Sequence, residues 1–76
     1  MRLEIAFGNI LKKHRKMKLL SQEELALKAN LNRTYISMLE RGLRQPTITT
    51  IFILSETLQT TPHALIKEVE ELQKSD

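Results

Sequence analysis

The sequence predicts an all-α fold of five short helices, forming one domain over residues 1–76. Apolar residues recur at helical spacing along the chain. Residues that cap helix N-termini stand before each of the four later helices, and the resulting punctuation leaves little room for strands.

The first helix is predicted from Leu3 to Met17. One stripe at spacings of three, four and seven defines its inward face and comprises Leu3, Phe7, Ile10, Leu11 and His14. We expect His14, at a core position, to be partly buried and hydrogen-bonded. The alternative is a pH switch, because histidine titrates near neutrality.

The second helix begins after Ser21 and runs to about Ala29. The Ser21 hydroxyl and the Glu24 carboxylate stand at the spacing of a capping box, in which each accepts from the other's backbone amide. Leu20 and Leu25 have the spacing of a hydrophobic staple around this cap.

A third helix follows almost at once. Asn30 tolerates the left-handed backbone that the turn requires, and Asn32 is the expected N-cap. Gly42 stands just past the predicted end, where a left-handed C-cap is common. Two short helices joined by a three-residue turn predict a helix-turn-helix.

The fourth helix is capped by Thr47, after a loop at residues 43–46, and runs to about Leu58. Its predicted inward stripe is Ile48, Ile51, Leu54 and Leu58. The fifth starts at Thr61-Pro62, a cap followed by proline at the first helical position, and reaches about Gln73.

Residues 22–42 (QEELALKANLNRTYISMLERG) resemble the helix-turn-helix of the phage repressor/Cro (XRE-like) family, and the resemblance extends from Phe7 to Leu65. Within that family, residues 30–37 (NLNRTYIS) most resemble restriction–modification controller proteins. The resemblance implies a structural salt bridge between Arg15 and Glu40. Leu19 stands where the family has glycine, so either the turn differs or leucine adopts a left-handed backbone.

The resemblance also implies which residues meet DNA. The N-terminal part of a recognition helix faces base edges in the major groove, so we expect the DNA-facing surface to comprise Asn32, Arg33, Thr34, Tyr35 and Ser37. Thr34 is expected at a thymine methyl or a phosphate, and Tyr35 and Ser37 at phosphate or sugar. The alternative for Tyr35 is a half-buried packing role. Arg33 is the first candidate for base reading, because guanidinium bonds guanine O6 and N7 together. The groups expected to hold the DNA backbone are Gln22, Arg44, Gln45 and the amide and hydroxyl of Thr47.

Helices four and five carry more apolar residues than one core requires. The surplus predicts a homodimer interface of Phe52, Ile53, Ile66, Val69 and Leu72. A chain this short has a small core, and without cysteine it has no disulfide to support it. The alternative for Phe52 is packing within one chain.

The leading hypothesis is a sequence-specific, DNA-binding transcriptional regulator that binds palindromic operators as a homodimer, and specifically an autoregulating controller with RNA polymerase as a further partner. The alternatives are a prophage-type repressor, an antitoxin, or a protein-interaction module that keeps the fold without DNA. Residues 1–20 carry a net charge of +5 and residues 61–76 carry −2, as expected when one face meets a polyanion.

Enzymatic activity is not expected. The sequence contains no cysteine nucleophile, no histidine with a carboxylate close in the chain and no glycine-rich phosphate loop. We therefore predict no cofactor and no metal. The sequence has no apolar run long enough to span a bilayer and no signal peptide, which predicts a cytoplasmic protein.

Overall fold

The structure, a computed structural model, describes residues 1–75. Within that part of the chain it consists of five α-helices and no strand, which confirms the predicted fold class. The helices are α1 (Leu3–Met17), α2 (Gln22–Ala29), α3 (Arg33–Glu40), α4 (Ile48–Thr57) and α5 (Pro62–Lys74). None of these helices is both long and apolar enough to cross a membrane.

Each of the four later helices begins at a side-chain cap. The caps are Ser21, Asn32, Thr47 and Thr61, and each accepts a hydrogen bond from the backbone N–H three residues on. Such a cap stabilises a helix by about 1 kcal/mol. At α2 the capping box is complete, because the Ser21 amide donates to Glu24 Oε1 at 2.8 Å. This bond holds the pKa of the Glu24 carboxyl below its ordinary value.

The turns after α1, α2 and α4 each place a non-glycine residue in the left-handed region. The φ angles are 59° at Leu19, 56° at Asn30 and 60° at Gln59. Asparagine adopts this conformation readily, whereas leucine does so at a cost of about 1–2 kcal/mol. Of the two alternatives for this turn, the structure thus shows the left-handed backbone at leucine, with its strain. The Leu19 side chain is 89% exposed.

The core lies between α1 and the other helices. The first helix packs against α3 and α5, α2 packs against α3 and α4, and α4 packs against α5. Gly8 permits the crossing of α1 and α3, because a Cβ there would lie 2.4 Å from the carbonyl oxygen of Leu39. The α3 helix therefore packs directly against the backbone of α1.

The inward face of α4 differs from the prediction. Ile48 is 74% exposed, so its assignment to the inward stripe is wrong. The buried stripe instead follows Thr50, Leu54 and Leu58, at spacings of four. Ile48 is the first residue of the helix and lies beyond the edge of the core. In α1, Leu3 is likewise half exposed rather than inward.

His14 is a part-buried residue that joins α1 to α5. Its Nε2 lies 2.7 Å from Glu68 Oε2, and the ammonium of Lys13 contacts the other oxygen of the same carboxylate. Hydrogen bonds from Lys13 and then His14 hold the pKa of Glu68 below its ordinary value. The expectation of a part-buried, hydrogen-bonded histidine is confirmed. The carboxylate partner, 54 residues away, was not foreseen.

Candidate nucleic-acid interface

The candidate site is the outer face of α2, the turn and α3. Buried Leu25 and Ala26 of α2 and Ile36 and Leu39 of α3 join the two helices. The small side chain of Ala26 lets the helices approach closely. Because the C-terminal half of α3 is turned toward the core, its N-terminal half is presented to solvent.

Three of the predicted readout residues, Asn32, Arg33 and Thr34, are exposed at this N-terminus. The Asn32 carboxamide oxygen is occupied by the helix cap, which leaves its NH₂ group for a ligand. No hydrogen bond or ion pair holds the Arg33 guanidinium anywhere in residues 1–75. Its full set of donors is therefore free to bind an acceptor-rich surface.

Tyr35 and Ser37 are half buried beside these three residues. The Tyr35 hydroxyl lies 3.2 Å from Thr50 Oγ1 on α4, and Thr50 Oγ1 accepts from the Thr47 hydroxyl at 3.0 Å. Tyr35 thus packs against the protein and still reaches the outer face. Thr50 was missed by sequence reasoning, since a threonine on a helix gives no signal of such a contact.

A buried ion pair links the C-terminal end of α3 to α1. Arg15 Nε donates to Glu40 Oε2 at 2.6 Å and its Nη2 donates to Oε1 at 3.0 Å, while Nη1 donates to the carbonyl of Leu20 at 2.8 Å. The hydrogen bond to Glu40 raises the pKa of the Arg15 guanidinium. Gln22 Nε2 also donates to Glu40 Oε1, at 3.1 Å. The Glu40 carboxylate at the end of α3 thus accepts hydrogen bonds from Arg15 near the end of α1 and from Gln22 at the start of α2.

Gln22 has a second N–H on the same nitrogen, so its contact with Glu40 leaves one donor for a phosphate. Glu40 fixes the direction of that amide and so orients it at the N-terminus of α2. Phosphates bind well at helix N-termini, where backbone N–H groups and the helix dipole favour negative charge.

The loop between α3 and α4 places Arg44 and Gln45 on the surface. The Thr47 hydroxyl is already engaged, because it accepts from the Thr50 amide at 3.0 Å. Its backbone amide is therefore the better candidate for a phosphate. Sequence reasoning also missed Arg41, which lines one surface depression together with Arg2 and Arg44. Its position beside Gly42 at the end of α3 could have indicated this.

The predicted interface residues do not form one surface. Phe52 and Ile66 are exposed, and Ile66 borders an apolar groove with Leu3 and Ile51. Val69 also lines this groove but is only 3% exposed and belongs to the core, so it offers little surface to a partner.

The other two predicted interface residues, Ile53 and Leu72, are half buried and pack against the core. Ile53 borders a different depression, beside Lys28 of α2. Exposed Leu3 and Ile66 therefore form an apolar face with half-buried Ile51, and Ile48 and Phe52 are exposed on the same helix as Ile51.

Comparison with known proteins identifies the class. A helix-turn-helix family profile matches residues 11–65. Control protein C.MunI of a Mycoplasma species is 41% identical over 69 residues, which cover 90% of this chain and 93% of that protein. The crystal structure of the restriction–modification controller C.AhdI from Aeromonas hydrophila is 37% identical with a TM-score of 0.79, covering 82% of this chain and 94% of that one.

A third relative was solved with DNA. The tetramer of controller protein C.Esp1396I, in complex with its natural 35-base-pair operator, is 36% identical with a TM-score of 0.78, covering 92% of this chain and 97% of that one. The chain therefore belongs to the helix-turn-helix family, in the XRE-like class of DNA-binding transcription regulators. The predicted similarity to restriction–modification controller proteins is confirmed.

Proposed function

We propose that this chain binds a palindromic operator as a homodimer and regulates transcription of a restriction–modification system, its own gene included. The observation that carries the proposal is the free guanidinium of Arg33, exposed at the N-terminus of α3. Arginine paired with guanine O6 and N7 is the commonest base-specific contact in the major groove.

The surrounding groups support a docking geometry in which bases and backbone are contacted together. Exposed Thr34 and half-buried Ser37 accompany Arg33 on α3, and residues 44 and 45 of the α3–α4 loop are exposed. Phosphate contacts fix position and base contacts supply specificity. The second N–H of Gln22, the Arg44 side chain and the Thr47 amide are assigned to phosphates.

The exposed apolar face on α4 and α5 supports the dimer. Phe52 and Ile66 contribute the largest part of the predicted interface, and Ile48 and Leu3 extend it. A two-fold dimer places two recognition helices roughly 34 Å apart, which is one turn of B-DNA. For activation, exposed Glu23 is the acidic group of α2 assigned to a contact with RNA polymerase, since Glu24 is held in the capping box.

The test is a titration of the duplex upstream of the protein's own gene, at two salt concentrations. A scrambled duplex of the same composition is titrated in parallel. We compare the wild type with Arg33→Ala and with Lys67→Ala, which removes the same charge from an exposed site on α5. Both variants lose one positive charge, so any difference between them reports position rather than charge.

We expect tight, cooperative and strongly salt-dependent binding to the upstream duplex. Arg33→Ala should lose about 1–3 kcal/mol of discrimination against the scrambled duplex, whereas Lys67→Ala should keep it. Equal weak binding of both duplexes by the wild type would contradict the proposal and favour a protein-interaction module. Loss of discrimination in both variants would contradict the role of Arg33.

A further inference from the structure

Thr50 is a threonine of α4 whose side chain is buried, at 6% exposure, yet it lies against the recognition helix. Its hydroxyl has two side-chain neighbours, Thr47 Oγ1 at 3.0 Å and the Tyr35 hydroxyl at 3.2 Å. It joins the cap of α4 to a residue of the candidate readout face. Neither the family comparison nor the residues predicted from the sequence give it a role.

The first two bonds of this chain of hydroxyls involve the cap of α4. Thr47 Oγ1 accepts the N–H of Thr50 and donates its own proton to Thr50 Oγ1. Either hydroxyl of the Thr50–Tyr35 pair can be the donor at 3.2 Å. When Thr50 donates its proton to the Tyr35 oxygen, the proton of Tyr35 points away from Thr50.

We propose that Thr50 is a positioning residue that holds the Tyr35 ring and orients its hydroxyl as a donor toward DNA phosphate or sugar oxygen. Phosphate oxygens only accept hydrogen bonds, so a tyrosine that donated inward to Thr50 would present the wrong group to them. In the opposite arrangement, which we call the hydroxyl relay, Thr47 donates to Thr50 and Thr50 donates to Tyr35. The O–H of Tyr35 is then available to donate to a phosphate oxygen. This inference rests on the proposed DNA-binding function, because the relay ends on the outer face of α3.

The hydroxyl relay also links the two groups that are assigned to the DNA backbone, the Thr47 amide and the Tyr35 hydroxyl. Thr47 supplies the backbone amide assigned to a phosphate, and its side chain is the first donor of the relay. Tyr35 and the N-terminus of α4 are thereby held in a fixed relative position. Contacts arranged in advance of binding do not require ordering when the ligand arrives.

Thr50→Val and Thr50→Ser test the proposal. Valine keeps the branched shape and removes the hydroxyl, whereas serine keeps the hydroxyl. Thr57→Val is the matched control, because Thr57 is a half-buried threonine of the same helix whose hydroxyl donates to the Ile53 carbonyl at 2.9 Å, remote from Tyr35. The unfolding midpoint of each variant is measured first, so that binding is compared among folded proteins.

Two readouts are taken. The protein has one tyrosine and no tryptophan, so the near-ultraviolet circular dichroism of tyrosine reports the ordering of the Tyr35 ring alone. The second is affinity for the upstream duplex, measured for Thr50→Val, Tyr35→Phe and the double variant. Together these form a double-mutant cycle for the two hydroxyls.

We expect Thr50→Val to lose most of the tyrosine signal and to bind the duplex about 2- to 12-fold more weakly, as for one lost hydrogen bond. Thr50→Ser and Thr57→Val should retain both signal and affinity. Tyr35→Phe should cost much less affinity in the Thr50→Val background than in the wild type. An unchanged tyrosine signal in Thr50→Val, or strictly additive losses in the cycle, would overturn the proposal.

Failure of the proposed function is separable from failure of this inference. If the wild type does not prefer the upstream duplex, the DNA-binding proposal fails by that result alone. The circular dichroism of the free protein then decides whether Thr50 orders Tyr35. Loss of the signal in Thr50→Val with retention in Thr50→Ser supports the link, and equal signals in the two variants contradict it.

Discussion

The buried ion pair between Arg15 and Glu40 leads to a sharp prediction about stability. Glu40→Gln keeps the shape of the side chain and removes its charge. The side chains are only 10% and 3% exposed, so water cannot replace the lost partner of Arg15. Breaking a buried pair from one side costs about 3–5 kcal/mol. Glutamine still offers one acceptor oxygen, so we expect the lower end of this range, about 3 kcal/mol.

Urea and thermal unfolding at a fixed protein concentration measure this loss. For a domain of this size, 1 kcal/mol shifts Tm by about 4–8 °C, so Glu40→Gln should lower Tm by roughly 12–24 °C. Glu56→Gln, at an exposed carboxylate of α4, is the control and should change the free energy of unfolding by less than about 0.5 kcal/mol.

A double variant separates the charge from the packing. Arg15→Met combined with Glu40→Leu leaves no unpaired charge in the interior and should recover much of the loss. Were Glu40→Gln to unfold at the same urea concentration as Glu56→Gln, the reasoning that this carboxylate compensates a buried charge would be refuted.

Three further predictions concern strain, close packing and pH. Leu19→Gly should stabilise the protein by about 0.5–1 kcal/mol in urea unfolding because it relieves the left-handed leucine. Leu27→Gly, at an exposed leucine within α2, should destabilise it by about 1 kcal/mol, and the same sign for both would contradict the strain. Gly8→Ala should destabilise by about 2 kcal/mol despite alanine's better helix propensity, since its Cβ would meet the Leu39 carbonyl; unchanged thermal stability would show that α1 can move away. Because the pKa of Glu68 lies below its ordinary 4.5, its contribution is complete above that pH and is lost as the pH falls through the folded-state pKa. Glu68→Gln should therefore show a shallower loss of unfolding free energy on acidification, and identical slopes would exclude this contribution.

The local features of the fold were predictable from the sequence. A cap requires only a side chain and an amide three residues away, so Ser21 and Thr61 are identifiable without any knowledge of the tertiary structure. The left-handed backbone at Asn30 was also predictable from the local sequence, because asparagine adopts this conformation readily. Arg33 could be placed on the outer face because the helix-turn-helix fixes which part of α3 is presented to solvent.

The features that were not predictable depend on contacts distant in the chain. Glu68 meets His14 across 54 residues, and no local pattern reports this pairing. The error at Ile48 has a related cause. A hydrophobic pattern counts apolar residues only, so it assigned the isoleucines of α4 to the inward face and left out Thr50. Thr50 can be buried because its hydroxyl is hydrogen-bonded. The burial of Val69 was not predicted either, because an apolar residue on a terminal helix can face the core or a partner.

The contact between Arg33 and guanine is the central claim, and guanine methylation interference tests it most directly. Methylation of N7 blocks the acceptor that the guanidinium uses in the major groove. Methylation is expected to block wild-type binding at one guanine in each half-site, at positions related by two-fold symmetry and separated by about one helical turn. The Arg33→Ala protein should be insensitive to methylation of those same guanines. Interference that is absent, asymmetric, or unchanged in Arg33→Ala would contradict the account.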